Sequence, residues 1–271
     1  MFVKLAVSAV PPATLVAARL AIGAVVLVAV VRVMGYTFPP IGRAWTPYVV
    51  LALVGNCLPF WFITWGQKPI DSALAGILMA IMPLATLLLA HFFVTGEQMT
   101  RNRVAGFVLG FLGIVALMGP AALAGLGGSP IEILAQLSVL CGALCYAANG
   151  VIARRTLRGD VVVASAAIVA LAALISLPVA LVIDQPWHLA PSRGSMAILI
   201  WIGIGPTAIA TIVYFNLIGS AGPTFTSQLN YLVPCVALLL GMTLLQEEPG
   251  LTLYTGLALI LGGIAVSQLR R

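Results

Sequence analysis

From Ala13 to Gln268 the chain is a nearly unbroken succession of apolar stretches separated by short turns. A helix rising 1.5 Å per residue needs about 20 apolar residues to cross some 30 Å of hydrocarbon. On that basis nine spans can be delimited: Ala13–Val33, Pro47–Gln67, Ser72–Val94, Val104–Met118, Ile131–Arg154, Val161–Ile183, Met196–Ile218, Thr224–Leu245 and Thr252–Gln268. The connections hold the helix breakers, among them Pro39 and Pro40, Gly125, Gly127, Gly128 and Pro130, Pro186 and Pro191, and Pro249 and Gly250. They leave no room for a domain outside the membrane.

Only 7% of the residues are charged, against about 25% in a soluble domain. A water-soluble globular fold is therefore excluded. The formal charge of +6 does not point to nucleic acid when the surface is hydrocarbon-facing; the basic residues report topology instead. Cys57, Cys141, Cys145 and Cys235 all lie inside apolar spans, where they read as small packing residues and offer neither a disulfide framework nor a zinc signature. No cofactor or metal is expected. Met1–Ser8 is apolar but too short to cross and lacks the features of a signal peptide, so it reads as the end of a shortened first helix.

An internal repeat organises these spans. Pro83 pairs with Pro234, Leu87–Leu89 with Leu238–Leu240 and Glu97 with Glu248, all at an offset of 151; Gly106, Gly113 and Ile114 pair with Gly256, Gly263 and Ile264 at an offset of 150. The expectation is an all-α polytopic membrane protein of ten spans, the first truncated, in two halves: 1–120 and 131–271. Five spans per half is an odd number, so equivalent helices run in opposite directions, the inverted repeat of many secondary transporters. Arg32, Arg43, Arg101, Arg103, Arg154, Arg155, Arg158, Arg270 and Arg271 fall on one face, against Lys4, Lys68 and Arg193 on the other. That asymmetry places the first face and the C-terminus in the cytoplasm, and Glu247 and Glu248 outside.

The residues resemble the drug/metabolite transporter superfamily, specifically EamA-type proteins with two five-helix units. The matching elements are FVKLAV followed by two prolines and Arg19 in AARLAIG, then SALAGILMAIMP ending at Pro83, then TGEQMTRNRVAGFVLGFLGI with Glu97 and Gly106. The second half keeps Pro234, Glu248 and Gly256, but Glu247 replaces the glycine before the glutamate. Members of the family usually open on a Trp-Gly stretch that is not found before Phe2. The resemblance implies export or exchange of small metabolites, often amino acids or their relatives, by alternating access in a bacterial inner membrane.

Polar side chains inside hydrocarbon cost free energy unless partnered, so each is a candidate for the substrate path. Asn56, Phe60, Thr64 and Gln67 follow helical spacing beside Trp61 and Trp65; the alternative is a helix tie at Asn56 and interfacial tryptophans. Thr207, Thr211 and Tyr214 share a face, and Thr207 falls on Asn56 at the 151 offset, although threonines also bond their own helix. Gln228, Asn230 and Tyr231 stand in the most polar run, just before Pro234, where a cavity lining competes with a plain interhelical contact. Tyr146 and Asn149 could meet the same cavity or simply pack, and Met79 and Met82 offer a deformable wall or fill gaps. Arg19 either binds an anionic group such as a carboxylate, pairs structurally, or snorkels to the outer surface. The glycine-rich spans around Gly106, Gly110, Gly113, Gly256, Gly262 and Gly263 read as packing struts or a homodimer face.

The partners expected are a small-molecule substrate and the lipid bilayer, with no nucleic acid. An intramembrane enzyme would need a nucleophile with a base, or clustered ligands. Only His91 and His188 exist, and no HExxH or GxSxG pattern occurs. A channel or scaffold would leave the two-half repeat without a mechanical use.

Overall fold

The structure, a computed structural model, describes residues 10–189, 191–245 and 251–269, without the side chains of 120, 234, 235, 237–245 and 251–253. The expected shortened helix with Lys4, the expected connection with Glu247 and Glu248, Arg270 and Arg271, and the side chains of Pro234 and Cys235 lie outside what is described. Everything regular among the described residues is helical.

Helix α1 (Pro12–Val33) starts on two prolines, which fit a first turn because its N–H groups have no intrahelical acceptor. Helix α2 (Arg43–Gly66) is composite: a 3-10 turn and an α segment lead into a π-helical turn, Leu53–Cys57, before α geometry resumes at Leu58. Helix α3 (Ser72–Phe93) bends at Ala80, just before Pro83, whose missing N–H interrupts the ladder. Helix α4 (Arg101–Met118) is capped by Thr100, whose hydroxyl accepts from the Arg103 N–H. Helix α5 (Pro130–Thr156) is closed by Glu132, which accepts from the N–H and hydroxyl of Ser129 at 2.7 and 2.9 Å. Asp160 caps helix α6 (Val161–Ile183) through the Val162 and Val163 N–H groups.

Helix α7 (193–221) ends at a kink at Gly222, with φ 87° and ψ 163°, after which helix α8 (223–245) begins. Residues other than glycine essentially never adopt that backbone region. Helix α9 (Leu251–Gln268) completes the chain. Among the described residues a helix stands at each of the nine expected spans. Their apolar length makes this a polytopic membrane protein, with seven candidate spans by length and composition among the described residues, the last of them running from α7 into α8.

The helices gather into two compact units, and each draws on both halves of the sequence. The first holds the residues up to Phe60 together with Ile152–Ser220; the second holds Trp61–Val151 and the residues from Ala221 onward. In the first, Leu20, Leu27 and Val31 of α1 pack with Ala166, Ile168, Val169 and Ala172 of α6 around one core. The Thr14 N–H donates to Asp184 at one end of that pair, at 2.6 Å. In the second unit α4 packs against α9. Cβ atoms built at Gly106, Gly113, Gly256 and Gly263 would each meet backbone of the facing helix, and one at Gly110 would meet the Tyr231 ring at 2.7 Å. These five glycines are consumed inside the chain as packing struts. Gly262, by contrast, has nothing within 4 Å of an added Cβ.

Candidate functional site

The two units carry different polar clusters. In the first unit, both α2 and α7 leave α geometry at mid-length. The π turn of α2 spans Leu53–Cys57 and that of α7 spans Gly203–Ile209. Shifting the first by the repeat offset of 151 gives 204–208, inside the second, so Asn56 and Thr207 occupy matching places on matching irregularities. Such π turns recur at functional positions because they push a residue out of the regular ladder.

The chemistry of the α7 turn follows from its proline. Pro206 has no N–H to give the carbonyl four residues earlier, at Ile202. The Thr207 hydroxyl takes that acceptor instead, donating to the Ile202 carbonyl at 2.9 Å. With its hydrogen so committed, the Thr207 oxygen presents its lone pairs outward and accepts from Arg19 Nε at 3.1 Å. Thr211 in turn donates to the Thr207 carbonyl at 2.5 Å. The aromatic ring of Phe60, one turn after Asn56, lies beneath the guanidinium carbon, 4.6 Å from it. A cation over an aromatic face is worth about 0.5–2 kcal/mol depending on desolvation.

Two glycines bring these groups within reach. A Cβ at Gly23 would stand 2.8 Å from the Thr207 methyl, and one at Gly203 would stand 2.6 Å from Ile22 and 3.2 Å from the Arg19 carbonyl. Close approach of α1 to the π turn therefore depends on the absence of side chains at both positions. Arg19 is half-buried and Thr207 fully buried. An arginine inside a span costs about 2.5–3.5 kcal/mol even on the mildest insertion scale, so its retention and tethering need a reason. Arg19 reaches the middle of α7 through its bond with Thr207.

Asn56 is half-buried on the α2 turn. Just after it in sequence, Cys57 is buried against Ser176 Oγ at 3.5 Å. Tyr214 packs at the edge of the first core, edge-on to Phe215 with ring centroids 5.3 Å apart. The sequence reading did not single out Gly23, Gly203 or Ser176. Gly203, Gly205 and Pro206 crowded into one apolar span were the available sign of an irregular turn.

In the second unit the polar run of α8 divides between faces. Gln228 donates to Ser267 Oγ at 2.5 Å and accepts from Gln268 at 3.0 Å, tying α8 to α9. The buried Tyr231 hydroxyl donates to the Phe107 carbonyl at 3.2 Å, pinning α8 to α4. Asn230 lies on an exposed side and bonds only one turn back, to the Ser227 carbonyl at 3.1 Å. Gln228 and Tyr231 are thus interhelical ties, and Asn230 does not join them. Tyr146 packs against Met82, Ala143 and Ala147 together with Met79. Asn149, one turn on from Cys145, is buried on α5. Trp61 is 42% exposed and, with Trp65, Leu134, Leu137 and Cys141, edges an open apolar groove of about 470 Å³. Among the described residues no group of His, Cys, Asp or Glu is placed to hold a metal ion.

At the turn between α3 and α4 Glu97 is buried and pairs with Arg103 at 3.0 Å. Its carboxylate also rests against Gly222 at the start of α8, where any Cβ would collide with it. A carboxylate there complements the partial positive charge of a helix N-terminus.

The sequence pattern of the EamA-like transporter family matches residues 1–119 and 133–268. The chain belongs to this family. It is thus a membrane transporter and not an enzyme, and it works on a small-molecule substrate within a lipid bilayer. Among its relatives, the aromatic amino acid exporter YddG of Ancylobacter novellus is 28% identical over 262 residues, covering 96% of this chain and 89% of that protein. A protein of Streptantibioticus cattleyicolor named "Probable terminal-alkyne amino-acid exporter" is 27% identical over 213 residues, 77% of this chain and 68% of that one. The uncharacterized inner membrane transporter YedA of Escherichia coli K12 is 22% identical over 243 residues, 88% of this chain and 76% of its own. One solved crystal structure superposes on this EamA-like chain with a TM-score of 0.82 at 27% identity, covering 97% of this chain and 91% of the other.

Proposed function

We propose that this EamA-like transporter exports amino acids or closely related metabolites across the bacterial inner membrane by alternating access, with its C-terminus in the cytoplasm. The halves 1–120 and 131–271 are its two inverted repeats. The observation that carries the reading is the pair of repeat-related π turns at Asn56 and Thr207. Membrane spans keep irregular backbone where it lines a polar cavity, and secondary transporters bind their substrates at such broken helices near the midplane. The amino-acid class is supported by the names of two relatives, both exporters of amino acids. Outward direction rests on the same names, and the inward C-terminus on the Lys and Arg asymmetry.

Within this reading Asn56, Thr207, Thr211 and Tyr214 of the first unit are candidates to line the path. Gln228 and Tyr231 hold helices together, and Trp61 faces the apolar groove. The test uses the full chain in proteoliposomes preloaded with labelled phenylalanine. External unlabelled phenylalanine is expected to accelerate efflux, saturably. An unsaturable ion current would instead indicate a channel, and efflux indifferent to every amino acid tried would refute the assignment.

A further inference from the structure

We infer that a polar cavity at the starts of α4 and α8 and the end of α9 is a binding site for a phosphate group, received by Arg103 and Thr224. The site lies wholly in the second unit and does not depend on the export reading. The cavity measures about 220 Å³, against the roughly 10–15 Å³ that holds a single water. Arg103 and Phe107 of α4, Thr224 and Gln228 of α8, and Ser267 and Gln268 of α9 line it. Arg103 stands in the first turn of α4, Thr224 in that of α8, and Ser267 and Gln268 in the last turn of α9. The cavity therefore lies at span ends, at the depth of lipid headgroups.

Three observations point to an anion. Thr224 is 3% exposed, yet its hydroxyl has no hydrogen-bond partner among the described residues, where a buried hydroxyl normally finds one. Arg103 gives its Nη1 to the Glu97 carboxylate at 3.0 Å and the Gln98 carbonyl at 2.9 Å, while its Nε and Nη2 bond to no described residue. The far wall is a relay of donors: Gln268 donates to Gln228 at 3.0 Å, Gln228 to Ser267 at 2.5 Å and Ser267 to the Ile264 carbonyl at 2.7 Å. Each glutamine amide spends one of its two hydrogens there and has a second to give. Glu97 balances Arg103, but the positive ends of α4 and α8, about half a charge each, and Arg101 beside them outweigh the negative end of α9. Tetrahedral phosphate oxygens accept from donors on three helices at once, which a planar carboxylate does not, and arginine meets them with paired N–H bonds. Basic pockets between spans at the membrane surface take phospholipid headgroups, and Phe225, 39% exposed on the rim, offers an apolar edge to the chains.

The experiment uses the purified full chain, delipidated in a phosphate-free detergent and buffer, and reads thermal shift and bound lipid by native mass spectrometry. The probes are phosphatidylglycerol, diacylglycerol with the same chains, and inorganic phosphate. Phosphatidylglycerol is expected to stabilise and to be retained, and diacylglycerol is not. Stabilisation by inorganic phosphate alone, lost in the variants below, would equally establish the site and assign it to soluble phosphate. Thr224→Val removes a hydroxyl that bonds to nothing, so the lipid-free protein should melt no lower than wild type while phosphate-dependent binding weakens about ten- to a hundredfold. Arg103→Lys keeps a cation for Glu97 but not the fork, and should weaken binding about tenfold. Equal stabilisation by diacylglycerol, binding unchanged in both variants, or a cavity that takes neither phosphate source would overturn the inference.

Discussion

Gly106 of α4 lies against the backbone of Gly263 in α9, and Gly113 lies against that of Gly256. The repeat offset of 150 pairs Gly106 with Gly256 and Gly113 with Gly263, so each glycine touches the repeat-mate of the other. That reciprocity is the signature of a twofold axis. Because residue numbers rise along α4 as they fall along α9, the two helices are antiparallel, as an inverted repeat requires.

The seam is tight enough to be tested by single methyl groups. A Cβ at Gly263 would stand 2.5 Å from the Gly106 carbonyl oxygen, whereas one at the neighbouring Gly262 meets nothing within 4 Å. Gly263→Ala should lower stability by about 1–3 kcal/mol, the usual cost of overpacking, and Gly262→Ala should leave it unchanged. Thermal unfolding of the two variants in detergent checks the contrast.

Gly222 is predicted to be irreplaceable for two independent reasons, its backbone region and the Glu97 carboxylate beside it. Gly222→Ala should cost about 1–3 kcal/mol from the backbone alone. Combining it with Glu97→Ala should recover only the part due to the collision, so a double-mutant cycle on the melting temperature separates the two.

Pro206 gives an opposite pairing of effects. Replacing it by alanine supplies an N–H in α register with the Ile202 carbonyl, favouring plain α geometry over the π turn and competing with the Thr207 hydroxyl. Pro206→Ala should melt no lower than wild type yet transport about tenfold more slowly, the scale of one hydrogen bond to a charged group. Parallel melting and counterflow measurements decide it; slower transport with an equal loss of stability would mean that the proline is merely structural.

Tyr231 should behave as a strut. Tyr231→Phe removes the second donor of the Phe107 carbonyl, which keeps its own helix ladder, and should cost about 0.5–1.5 kcal/mol of stability, with the concentration dependence of transport unchanged. A shift in KM without a shift in melting temperature would return Tyr231 to the substrate path.

Much of this architecture was readable from hydropathy alone, and α6 runs over Val161–Ile183 with the expected limits. Span lengths are dictated by the bilayer and survive any detail of packing. The two π turns were not readable, since periodicity cannot register one extra residue in a turn, although the alignment of Thr207 with Asn56 had already marked the places. Nor could the pattern tell which face of α8 each polar residue would take. Gln228 and Tyr231, three residues apart, turn to α9 and α4, whereas Asn230 turns away; helical spacing separates them, and Gly110 of α4 makes room for the Tyr231 ring. Arg19 was recognisable as anomalous, but its direction depended on Gly23 and Gly203 allowing Thr207 close.

The account depends most on two five-helix units inserted in opposite senses. Reporter tags in the hairpins at Glu97 and Glu248, read for cytoplasmic or external location in intact cells, address it without any purified protein. Glu97 is predicted to report inside and Glu248 outside; both tags reporting from the same side would contradict the inverted repeat and every role assigned through it.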